Sequence, residues 1–406
     1  MIVEIFEPFS GGHHTKYIAL LLPTLVSLKE RGFIHRLVVT TSTTHRESAA
    51  FTDRLAQYAD AVDFEFIEGN FRSEPGRRVT DILFESLERN KPNFLIVTSA
   101  NNGALTLAVR SLVNKCFKRA DFTSVGIIHN GFSRPATHFK DRFRDNIHRF
   151  SRKHAPWSEM YIVNPVLFER ILLQGDNLRD RVKMLPDPVQ VPDPVASDAR
   201  QILGLPAAGR IIGMIGQSDG RKAIPELLAA FRDSKAEETD RLLLAGTLYE
   251  PYRLLIHKQY ADLLESGRVI LIDRYLHPHE LQAANFASDV VAVTYYTDEL
   301  SSNLLAAVAA RRPVIGSFLG YSGLIIGKFQ VGWQCDVFNH ASFTSAVSQA
   351  FNACHDYVPS TAAQRLLAYH DPDNFVSTLL ARLYELLDLP THEVKSWNWV
   401  VHGATK

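Results

Sequence analysis

A short apolar, often β-branched run, a turn and then a longer helical pattern recur along almost the whole chain, and few folds accommodate that rhythm. Runs of strand length without polar alternation read as strands buried on both faces, and helices between them imply parallel pairing. In the first half these runs are Ile2 to Phe6, Leu37 to Thr41, Phe64 to Ile67, Phe94 to Thr98, Val125 to Ile128 and Tyr161 to Val163. Helical patterns fill most of the intervals, among them Lys16 to Glu30, Arg46 to Tyr58 and Ala104 to Phe117. The expected product is one doubly wound sheet.

Four prolines in Leu185-Pro-Asp-Pro-Val-Gln-Val-Pro-Asp-Pro then exclude helix and favour extended backbone, the mark of an interdomain linker. Beyond it the alternation restarts, with Ile211 to Ile215, Leu242 to Ala245, Val269 to Ile272, Val290 to Val293, Pro313 to Gly316 and Trp333 to Val337 as strands. A chain of 406 residues exceeds what one core holds. The fold class expected is therefore α/β, two Rossmann-like parallel-sheet domains facing a cleft, over residues 1–188 and 189–372. Ligands of such sheets bind beyond the carboxyl ends of the strands.

Charge narrows the partners. Lys plus Arg and Asp plus Glu both number 44, with no block of one sign, so nothing suggests a nucleic-acid binder. Cys116, Cys335 and Cys354 show no CxxC or Cys/His ligand spacing and read as buried thiols in a reducing compartment. Met1-Ile-Val-Glu-Ile-Phe reads as a strand rather than a leader, and no apolar stretch approaches the roughly 20 residues of a spanning helix. The expectation is a cytoplasmic protein, soluble or peripheral on the inner membrane face, with no metal and no cofactor.

Two segments carry chemistry. Gly213-Met-Ile-Gly216-Gln-Ser-Asp-Gly220-Arg221-Lys222 runs from a strand through a glycine-rich loop to a helix opening near Pro225, and its amides and basic pair can hold a diphosphate. An ordinary turn with a solvated Arg-Lys pair is the structural alternative. Thr294-Tyr-Tyr-Thr-Asp298-Glu299-Leu300-Ser301-Ser302 enters a helix, where acids can grip sugar hydroxyls and free N–H groups can take phosphate; simple capping is the alternative.

The order of these features resembles the donor domain of the family four glycosyltransferases, which have the GT-B fold. Ile212 to Leu228, Leu243-Leu-Ala-Gly246, the region from Val269 through His277-Pro-His-Glu-Leu, Ala287 to Val293 and Asp298 to Gly316 carry the likeness, and Ser10-Gly-Gly-His, Ile127-Ile-His129-Asn and Ile162-Val-Asn-Pro extend it loosely into the first half. The resemblance implies a retaining, metal-independent hexosyltransferase that moves a sugar from a nucleotide diphosphate sugar to a glycan or lipid-linked acceptor in polysaccharide or glycoconjugate synthesis. It implies donor contacts at Gly12, Gly216, Arg221, Lys222, Leu300, Ser301 and Ser302, and catalytic roles for His129, Asp298 and Glu299. It also implies that the last helical pattern, Asp373 to Leu387 within 373–406, crosses back to the acceptor domain.

Two departures stand out. The family arginine that precedes the lysine falls at Gln217, with Arg221 as a substitute. Of two family glutamates eight positions apart, the first falls at Asp298 and the ribose-binding second at Ala306; a one-residue slip gives Glu299 and Ala307, restoring nothing. A noncatalytic glycan- or partner-binding protein on the same fold is the rival reading. An epimerase ranks lower, and a dehydrogenase lower still, because no G-x-G-x-x-G follows the first strand.

Phe139, Phe143, Ile147 and Phe150 share one helical face among Lys140, Arg142, Arg144, Arg149, Arg152 and Lys153, with Trp157 beyond. Such a helix suits peripheral membrane contact through 139–157, and burial of the stripe in the core is the alternative.

Overall fold

In the computed structural model, residues 1–10, 13–69, 71, 76–113, 117, 119–129, 139–174, 178–189, 198–297 and 301–403 are described. Two compact units emerge. The first gathers Met1–Leu185 with Phe375–Val394, and the second Pro186–Asn374 with Lys395–Lys406.

The first unit holds β1 (Ile2–Glu7), β2 (Arg36–Ser42), β3 (Asp63–Ile67), β4 (Phe94–Val97), β5 (Thr123–Ile128), β6 (Glu159–Ile162) and β7 (Val182–Met184). Their order is β3-β2-β1-β4-β5-β6-β7, and every pairing is parallel. Ile5 lies beside Val39 on one side and Ile96 on the other, all buried, which is why these strands lack polar alternation. The chain winds outward from β1 to β3 and then resumes at β4 on the opposite side of β1. Those two strands therefore mark the topological switch point.

In the second unit β8 (Ile211–Ile215), β9 (Arg241–Ala245), β10 (Val269–Ile272), β11 (Val290–Val293), β12 (Val314–Ser317) and β13 (Gly332–Cys335) form an all-parallel sheet ordered β10-β9-β8-β11-β12-β13. Its switch point lies between β8 and β11.

The helical pattern from Arg46 to Tyr58 resolves into shorter pieces, Thr43–Arg46, Ala49–Arg54 and a 3-10 turn at Ala56–Tyr58. Ser48 causes the interruption: its hydroxyl accepts from the Phe51 amide at 3.2 Å and so starts a new helix. The helix Pro372–Leu386 packs Phe375 against Tyr17, ring centres 4.8 Å apart, and the Thr378 carbonyl accepts from the Tyr161 hydroxyl at 3.1 Å. In the tail, Trp397 is buried against Phe329 and Tyr369. Among the described residues no helix is long and apolar enough to cross a membrane.

Candidate functional site

The second unit's switch point is built around close backbone approach. β8 leads into Gly216 at φ +83° and β9 into Gly246 at φ +127°, and a Cβ on Gly246 would lie 2.6 Å from the Gly216 carbonyl carbon and oxygen. Only glycine fits there. The chain after Gly216 then folds toward β11: the Ala223 amide donates to the Thr294 carbonyl and the Tyr296 amide to that of Arg221, both at 3.0 Å. Tyr252 secures the turn by donating its hydroxyl to the Lys222 carbonyl at 2.7 Å, and Tyr296 donates to Glu226 on the helix Ile224–Asp233.

This strap drives Lys222 inward until the residue is 6 % exposed. Its Nζ donates to the carbonyls of Ile215 and Gly216 at 3.2 and 3.4 Å, and among the described residues no carboxylate lies within bonding reach of it. Burial pushes the ammonium down to about 8; Asp219 opposes the shift and Arg221 adds to it. Arg221 itself pairs with Asp219, Nη2 to Oδ2 at 2.6 Å, on an exposed loop.

From the other side comes the helix Ser302–Ala309, with Ser301 extended at its N-cap. Asn303 Nδ2 donates to the Ile215 carbonyl at 2.6 Å, so that one oxygen receives both Lys222 and Asn303. The glycine loop and the helix start therefore converge at one place. The hydroxyls of Ser301 and of Thr294, just past β11, are buried there with no hydrogen-bond partner among the described residues. Buried orphans of this kind cost free energy that a bound ligand can recover. Ser302 turns its hydroxyl elsewhere, to Asp187 Oδ2 at 2.8 Å.

Of the residues singled out in the sequence, Gly216, Lys222 and Ser301 meet at this point, and Arg221 stands at its rim. Gly12, Asp298, Glu299 and Leu300 lie outside the described residues. His129 directly follows β5 in the first unit, buried, with Nε2 donating to the Thr98 carbonyl at 2.7 Å and its ring stacked on Tyr17 at 5.5 Å. Sequence reasoning missed Asn303, whose signal is an amide in the first turn of a helix, immediately before the apolar run Leu304 to Ala310. It also missed Glu7, an acid closing a buried strand, together with His14, which bonds to it at 2.9 Å.

The helix Phe139–His154 presents part of its apolar stripe outward. Phe143 is 61 % and Phe150 40 % exposed, and the adjoining helix Ala104–Val113 adds exposed Leu105, Val109 and Leu112. Trp157 corrects the sequence reading: it is a core residue, edge-on to Phe117, and Gly126 leaves space for its indole. Arg152 is also buried and does not belong to the basic surface.

Residues 196–355 match the model of the family "Glycosyl transferases group 1". No curated protein sequence matches the chain. Among solved structures, Anabaena HepE in complex with UDP and glucose superposes at a TM-score of 0.67 with 14% identity, over 95% of this chain and 100% of its own. Sucrose-phosphate synthase from Thermosynechococcus elongatus gives 0.67 with 16% identity, over 96% and 99%. The lipopolysaccharide outer core galactosyltransferase WaaB gives 0.60 with 14% identity, over 94% and 99%. The fold is GT-B, and its second unit carries the stretch that is similar to group 1 glycosyl transferases.

Proposed function

We propose that the chain is a glycosyltransferase, moving a hexose-type residue from a nucleotide diphosphate sugar to a glycan or lipid-linked acceptor in cell-surface polysaccharide or glycoconjugate synthesis. The observation that carries this reading is Lys222, a buried ammonium whose hydrogen bonds among the described residues go to carbonyl oxygens, in the same unit as the hydroxyls of Ser301 and Thr294, which are buried with no partner among the described residues. A buried cation with no carboxylate in bonding reach among the described residues favours an anion, and a diphosphate supplies one with oxygens to spare. The UDP complexes of Anabaena HepE support the same ligand class.

In the proposed reaction the bond between the anomeric carbon and the diphosphate breaks, and negative charge grows on the departing phosphate. Lys222 and the amides at Ser301 and Ser302 stabilise that charge where it develops. Asp298 or Glu299 orients the sugar, and His129 serves the transferring residue. Retention of configuration and independence from metal are part of the proposal, as are a cytoplasmic location and peripheral contact with an anionic membrane. The exposed Phe143 and Phe150, with Arg142, Arg144 and Lys153 on the same helix, support the membrane contact.

Thermal stabilisation by a panel of UDP-, GDP-, ADP- and dTDP-sugars tests the donor site. No shift with any of them removes it. Ala306 and Gln217 favour a second reading, a noncatalytic glycan- or partner-binding protein. That reading predicts donor binding without donor consumption when acceptor glycans are added.

A further inference from the structure

We infer that Asp187, on the segment that opens the second unit, weakens that unit's hold on the diphosphate group of a nucleotide, so that the spent nucleoside diphosphate leaves readily. The inference rests on the donor reading above and adds to that site an anion of the chain's own.

Sequence and packing fix Asp187 in place. It stands between Pro186 and Pro188, whose rings restrict the backbone on both sides. Pro186 begins the second unit, and His370 of the same unit pins the segment. Its Nδ1 donates to the Asp187 carbonyl at 2.8 Å, and its own carbonyl accepts from the Val189 amide at 2.7 Å. Asp187 is 1 % exposed, and its Oδ2 accepts from the Ser302 hydroxyl at 2.8 Å.

Ser302 opens the helix Ser302–Ala309, whose first amides are the ones assigned to the diphosphate. Hydroxyl and amide belong to one residue, so the carboxylate lies within about two hydrogen-bond lengths of an amide offered to the ligand. Ser302 is exposed, which leaves the helix start open to a ligand, while the carboxylate beside it is withdrawn from water. A charge so shielded acts with less screening than one at the surface. Its reach shows at Tyr321: burial first, and then the Asp187 charge, hold that phenol well above its ordinary value.

In the free chain an anion near a helix N-terminus is favourable. Arrival of a diphosphate reverses the sign, because two anions then share one helix start. Asn303, the next residue, meets Lys222 on the Ile215 carbonyl, so the cation and the anion are both tied to the first turn of this helix. Repulsion from Asp187 therefore offsets part of the attraction from Lys222, and it falls on the phosphates alone; a nucleoside carries no charge for it to act on.

The test titrates the full chain and Asp187→Asn with UDP, GDP, ADP and dTDP, each beside its nucleoside, and follows diphosphate dissociation by stopped flow. Asparagine keeps an acceptor for Ser302 and loses the charge. The preferred diphosphate should bind the variant roughly tenfold tighter, with the gain in slower dissociation, and its nucleoside should bind both proteins alike. Asp187→Ser is the second neutral variant, should the asparagine protein fail to fold. Ser302→Ala cuts the hydrogen bond and keeps the charge, and it should not tighten the diphosphate. The inference is overturned if the neutral variant binds the diphosphate no tighter than the parent, if the nucleoside gains by the same factor, or if Ser302→Ala brings the gain; in each case the donor reading stands. Binding of no diphosphate by either protein removes both, whereas binding by the neutral variant alone supports the inference.

Discussion

Replacing Lys222 with methionine should make the free protein more stable while abolishing its response to nucleotide sugar. Burial lowers the lysine from 10.5 to about 8. At about 1.4 kcal/mol per unit, holding the charge inside the folded unit costs roughly 3 kcal/mol at neutral pH. Methionine fills a similar volume and removes that cost. It also removes two hydrogen bonds, but the Ile215 carbonyl keeps Asn303, so only the Gly216 carbonyl loses a donor, at about 1 kcal/mol. The balance favours Lys222→Met by about 2 kcal/mol, or roughly 4 to 8 °C in the melting of a domain of this size.

The pH dependence has a definite sign. The folded state gives up this proton near 8 and the unfolded chain near 10.5, so between those values the unfolded state binds more protons and the parent gains stability as pH rises. The variant has no such gain, and its advantage should be full at pH 7, vanish at about pH 10 and reverse above that, where only the lost hydrogen bond remains. Unfolding of both proteins across that range, with and without UDP-sugar, measures it. A variant less stable than the parent at pH 7, or one still stabilised by the donor, would refute the account of Lys222 as a costly buried charge awaiting an anion.

Ser301→Ala removes a hydroxyl that has no partner among the described residues, so stability should change by less than about 0.5 kcal/mol while donor affinity falls roughly 5- to 10-fold; equal affinity in a titration of the two proteins argues against the pocket. Gly246→Ala drives a methyl into the Gly216 carbonyl at a positive φ, and denaturant unfolding should show a loss of more than about 2 kcal/mol. Phe143→Ser with Phe150→Ser should weaken sedimentation with anionic liposomes at low salt without lowering the melting temperature, because both rings are exposed; unchanged sedimentation removes the membrane contact.

Much of the fold is legible because parallel strands buried on both faces leave continuous apolar runs, and β8, β10 and β11 coincide with theirs. β7 left no such trace: Val182-Lys-Met is three residues long and shows no pattern distinct from a loop. The interruption at Ser48 was equally hidden, since a capping serine looks like any polar residue on an amphipathic helix until its hydroxyl is seen on the Phe51 amide. Lys222 could be singled out because glycines and a helix start surround it locally. Glu7 could not, because what gives it meaning is contact with Ser99, 92 positions away. Trp157 misled for the same reason: its burial depends on the missing side chain at Gly126, a long-range complement that no local pattern encodes.

The two switch points solve opposite electrostatic problems, and the difference bears on how ligands act. Glu7 is a buried anion already supplied with four donors, so its surroundings are organised before anything binds. Lys222 is a buried cation whose bonds among the described residues go to carbonyl dipoles, and the same unit buries two hydroxyls with no partner among the described residues, so it carries a cost that a ligand can relieve. An anionic ligand relieves that cost and should stabilise the second unit strongly, raising the proton affinity of Lys222 as it binds. Hydrogen exchange tests this: a nucleoside diphosphate should bring broad new protection around β8 and β11, and exchange there that is unchanged by the ligand would refute the relief of a buried charge.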